Sequence, residues 1–76
     1  MNTLRVLGKR GDDPITWDPA NAEQVATAQR EFYALRRKGF LAFDAPPGGE
    51  ATEITDFDPD ATEILFTRPV SGGEVR

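Results

Sequence analysis

The stretch Glu63-Ile64-Leu65-Phe66-Thr67 (EILFT, residues 63–67) decides how this chain can fold. It is β-type in composition and stops at Pro69. Three consecutive apolar residues do not fit a strand with one wet face. They predict a strand at the centre of a sheet, or one covered on both sides. A chain of 76 residues forms one domain. At this size only about 60% of the unfolded surface is buried, so each large apolar side chain counts.

Working back from that strand, Thr3-Leu4-Arg5-Val6-Leu7 reads as a first strand, with Leu4 and Val6 on one face and Arg5 and Leu7 on the other. Gly8 to Pro14 is turn material, and Ile15-Thr16-Trp17 is the return strand of a hairpin. A helix follows. Asn21 reads as its N-cap, with Gln24 three residues on as a capping-box partner and Glu23 in the first turn. Val25, Ala28, Phe32 and Leu35 make one apolar stripe. Arg36-Arg37-Lys38 complement the dipole of the last turn, a docking patch being the other reading, and Gly39 supplies the left-handed residue that ends the helix. Phe40-Leu41-Ala42-Phe43 is a third strand. After the Pro46-Pro47-Gly48-Gly49 bend, Thr52-Glu53-Ile54-Thr55 is a short edge strand, and Asp58-Pro59-Asp60 is a further turn.

The order β-β-α-β-(β)-β predicts an α+β fold in which one helix covers one face of a small mixed sheet. If the last strand lies parallel to the first in the middle of the sheet, the layout is the β-grasp. A ferredoxin-like half and a plain ββαββ meander are the alternatives. Trp17 reads as core, because a small domain needs its one large aromatic inside.

Composition narrows the function classes. With 38% hydrophobic and 29% charged residues, the chain resembles an ordinary soluble globular domain. It has no 18-residue apolar run, and its first residues lack a basic-then-apolar leader pattern, so a cytoplasmic protein without membrane association is expected. There is no cysteine and no histidine, which removes disulfides, thiol nucleophiles and the commonest base and zinc ligand. We therefore expect neither an enzyme nor a cofactor. Residues 1–43 carry a net charge of +2 and residues 44–76 a net of −6. Phosphate contacts need basic side chains, so no nucleic-acid partner is expected. Asp56, Asp58, Asp60 and Glu63 alternate as in a calcium loop, but the sixth-position glycine is missing and Pro59 interrupts, so no metal site is expected.

The end of the chain is the most suggestive part. The stretch Glu63-Ile64-Leu65-Phe66-Thr67-Arg68-Pro69-Val70-Ser71-Gly72-Gly73 resembles the C-terminal signature of ubiquitin-like β-grasp proteins. Within that group it looks most like the small subunit of molybdopterin synthase, the thiamine sulfur carrier and the bacterial ubiquitin-like modifiers. The likeness covers about eleven residues by motif and the rest by strand order alone. It implies a folded body over residues 1–70 and a flexible tail over 71–76. It further implies activation of a Gly73 carboxylate by an E1-like adenylating enzyme, with Gly72 and Gly73 as the site, and transfer to a sulfur donor or a target protein. A residue without Cβ lets the backbone thread a narrow channel. This chain departs from the pattern in one respect: Glu74-Val75-Arg76 follow Gly73, so the resemblance also implies a processing peptidase. Such proteins often present an apolar patch with a basic border on the open sheet face. Here Leu7 and Leu65, with Leu41 or Phe43 nearby and Arg5 and Arg68 at the margin, would form it. The competing reading is a small acidic binding module, an inhibitor or a phage or mobile-element adaptor, that works by its surface alone.

Overall fold

The computed structural model describes residues 1–7 and 14–68. Five strands and one helix follow in the order β1 (Asn2–Val6), β2 (Ile15–Trp17), α1 (Ala22–Arg37), β3 (Leu41–Asp44), β4 (Thr52–Ile54) and β5 (Glu63–Thr67). The strands form one mixed sheet ordered β2-β1-β5-β3-β4. β5 lies at its centre, parallel to β1 and antiparallel to β3, while β2 and β4 are the edges. The central placement expected from Ile64-Leu65-Phe66 is the observed one. Cover on both sides, the alternative to it, is not seen among the described residues: Ile64 and Phe66 are buried, whereas Leu65 is half-buried on the opposite face.

The helix forms where its caps dictate. Asn21 has extended backbone, and its side chain accepts from the Gln24 N–H at 3.1 Å. The reciprocal half of the capping box is displaced. Asn21 N–H is already committed to the Asp18 carbonyl at 2.8 Å, so Gln24 Oε1 accepts from Asp18 N–H at 2.8 Å instead. At the other end Lys38 is the C-cap and Gly39 takes φ +94°. Phe40 N–H donates to the Leu35 carbonyl and Gly39 N–H to Arg36, the paired bonds of a Schellman motif. This explains why β3 begins at Leu41 rather than at Phe40: the Phe40 amide belongs to the helix stop. Arg36 Nη1 also donates to the Phe40 carbonyl at 2.9 Å, so one of the three basic residues in the last turn is spent on the local chain reversal.

Ala28 and Phe32 carry the helix stripe into a core completed by Leu4, Trp17, Ala42, Ala61, Ile64 and Phe66. Phe32 meets Phe66 edge-on at 5.3 Å and Phe57 at 5.6 Å, and Trp17 meets Phe57 at 5.3 Å. Val25 and Leu35, expected on the same stripe, are half-buried and pack at the margin.

The loop before β5 closes this core. The Pro59 carbonyl accepts both Trp17 Nε1–H at 2.9 Å and Asn2 Nδ2–H at 3.0 Å. Asp58 Oδ1 accepts from Asp60 N–H at 2.9 Å, and Ala61 N–H donates to the Asp58 carbonyl at 3.1 Å, so Asp58 serves the turn itself. The acidic loop is thus a strap over the indole. Smaller boundary differences follow the hydrogen bonding. β1 runs one residue earlier than expected, with Leu7 in a turn, although Leu7 N–H still donates to the Phe66 carbonyl at 2.8 Å. β4 stops at Ile54, which pairs with Ala42.

Trp17→Ala removes a fully buried side chain and both of its roles, and should cost about 3–5 kcal/mol. Against a total of very roughly 4–11 kcal/mol for a chain this long, that is a large share. Trp17→Phe keeps most of the ring and leaves Asn2 on the Pro59 carbonyl, so it should cost less than half as much. Urea denaturation of the two variants beside the parent chain checks the ranking. Gly39→Ala, at a positive φ, should cost about 1 kcal/mol or more by the same measurement.

Candidate functional site

The pairing register assigns side chains to the two faces of the sheet. Leu4, Ile64, Phe66 and Ala42 share the helix side. Residues of the opposite parity stand on the open side. Arg5 is level with Leu65, Leu65 with Phe43, and Phe43 with Glu53, so one row crosses four strands as Arg5–Leu65–Phe43–Glu53. The next row carries Leu41 level with Thr67, and the row behind has Thr16, Thr3 and Glu63. Leu41, Phe43 and Leu65 are half-buried and lie outside the core cluster. Leu7 continues the alternation of β1 and is 46% exposed. A strip of apolar surface therefore runs across the middle of the open face, closed at each end by charge.

The charge at one end is internally matched. Arg5 Nε donates to Glu63 Oε2 at 3.0 Å, diagonally across the parallel pair of β1 and β5. Both side chains are partly exposed, so the pair contributes little to stability. Its effect is one of position, since it ties the guanidinium to the strand beside Leu65. The expected basic border is thus a mixed one: Arg5 with Glu63 on one side, Glu53 on the other. Sequence alternation placed Arg5, Leu7 and Leu65 on one face. It did not reveal Glu63 as the partner of Arg5, because that pairing depends on the offset between two strands 58 residues apart.

Arg68 is exposed immediately after β5. Gly72 and Gly73, the candidate activation residues, lie outside the described residues, as does the whole of the expected tail over 71–76. Among the described residues, no group of three or more Asp or Glu side chains converges in a way that would hold a metal ion, and no helix is long and apolar enough to cross a membrane.

Comparison with known proteins returned no matching family model, no matching curated protein and no matching solved structure. The functional reading therefore rests on the residues and geometry of the chain itself.

Arg5→Ala should shift stability by less than about 1 kcal/mol. Leu65→Ser and Phe43→Ser, on the face away from the helix, should each cost less than truncation of a core residue such as Phe66→Ala, for which about 3–5 kcal/mol is expected. Thermal unfolding of the four variants tests this division of the sheet into a structural face and an available one.

Proposed function

We propose that the chain is a β-grasp, ubiquitin-like protein that serves as a protein modifier or sulfur carrier. In this reading a peptidase removes Glu74-Val75-Arg76 and an E1-like enzyme adenylates the new Gly73 carboxylate. The carboxylate attacks the α-phosphorus of ATP and pyrophosphate leaves. A sulfur or amine nucleophile then displaces AMP from the acyl carbon. The single observation that carries the reading is the strand order β2-β1-β5-β3-β4, with β5 parallel to β1 at the centre and followed directly by the segment that bears Gly72-Gly73. The body supplies no chemistry in this scheme. It gives the partner a surface to grip, and the apolar strip of Leu41, Phe43 and Leu65 with Arg5 at its margin suits that purpose.

Gly73→Ala should abolish activation, since a β-carbon obstructs a channel shaped for bare backbone. Mass spectrometry of the protein from its native cell should find a form ending at Gly73, free or joined to an amine. Recovery of the full-length chain alone, from cells with intact adenylating and peptidase activities, would overturn the reading.

The same strip supports a second reading, a small acidic binding module that acts through its open face alone. Here the discriminating experiment is deletion of residues 72–76. A module of that kind keeps its activity without them, and a modifier or carrier loses it.

A further inference from the structure

The outward side of α1 carries a feature that neither reading uses. Ala26, Gln29, Arg30, Tyr33 and Arg37 line an open groove of about 320 Å³ along the helix. Its floor is fixed. The Tyr33 ring packs edge-on against Phe32 at 5.0 Å, and its hydroxyl accepts the Phe57 N–H at 3.1 Å. Arg30 and Arg37 stand on either side of that ring in sequence. Both are exposed, and among the described residues neither forms an ion pair within 4 Å. Arg36, by contrast, is occupied by the Phe40 carbonyl. Ala26, with only a methyl side chain, leaves room for another backbone to come close at its end of the groove.

The spacing defines what fits. Arg30 and Arg37 are two helical turns apart, about 10 Å along the axis. Carboxylates at positions i and i+7 of a second helix have the same separation, and a residue at i+3 or i+4 between them falls over the Tyr33 ring. Nucleic acid matches less well. Its charges are far more closely spaced, and a chain of net charge −4 with two arginines on one face offers few phosphate contacts.

We propose that this groove is a docking surface for an acidic amphipathic helix of a partner protein, one that places two carboxylates over Arg30 and Arg37 and an apolar side chain over Tyr33. The site is independent of the tail chemistry and stands or falls separately from it.

The test uses the full chain, isotopically labelled, and a synthetic alanine-based helical peptide with Glu at i and i+7 and Leu at i+3 and i+4. Amide shift changes should concentrate in residues 26–37. Binding should weaken at least tenfold in R30E/R37E and also fall in R30Q/R37Q, while the parent helix signals persist in both. A peptide with Lys in place of both Glu residues should bind R30E/R37E better than it binds the parent chain. Absence of peptide-induced shifts, shifts on the open sheet face instead, equal binding by the charge-reversed variant, or tighter binding of a dT12 oligonucleotide at the same amides would each overturn the proposal.

Discussion

The parallel pairing of β1 with β5 is the constraint on which the rest of the molecule depends. Thr3 to Val6 match Glu63 to Phe66 one for one, which brings together segments about 60 residues apart in sequence. Parallel neighbours cannot be joined by a tight turn, so everything between them, the hairpin strand, the helix and the β3–β4 pair, must fit around a fixed centre. That pairing also aligns Leu4 with Ile64 and Val6 with Phe66 beneath the helix, giving Phe32 a surface to pack against.

One consequence is a division of labour between the two sides of the sheet. The helix side is aromatic and closed, sealed at its margin by the strap that delivers the Pro59 carbonyl to Trp17. The loop that supplies the strap is rich in aspartate, and Asp56, Asp58 and Asp60 are exposed, while among the described residues no polar or charged residue is buried. The open side has no second layer among the described residues, so the apolar residues required by the middle strands remain partly accessible there. Leu65 shows this most clearly. It sits at the sheet centre, where a β-type apolar residue is favoured, yet it is only half-buried and none of the described residues forms a layer over it. A central strand with three successive apolar residues, of which Ile64 and Phe66 are buried under the helix and Leu65 stands on the open face, leaves surface for a partner.

Function, in the reading we favour, divides along the same line. A rigid body presents surfaces, and reactivity is delegated to a backbone terminus. Neither histidine nor cysteine is needed for that arrangement, and neither is present. The groove lined by Arg30, Tyr33 and Arg37 adds a second face of different character, basic and aromatic where the sheet side offers an apolar strip with a mixed border.

The amino-acid sequence by itself determined the helix, because Asn21 and Gly39 act through bonds to residues within a few positions of themselves. It determined the strand segments to within a residue or two and the buried place of Trp17, and, once Leu4 and Val6 of β1 and Ile64 and Phe66 of β5 turn to the helix, the sharing of the other face by Arg5 and Leu65, because alternation along each strand is a local property. Boundaries moved where a local bond had a competing use, as at Phe40, whose amide is taken by the helix stop. Only the tertiary structure decided that Glu63 pairs with Arg5, that Glu53 closes the far end of the apolar strip, that Pro59 caps the indole and that Leu65 stays half-buried on the open face. Each of these depends on the relative offset of segments far apart in the chain. No periodicity within one segment records that offset; it is set when the buried faces of all five strands are satisfied together under a single helix.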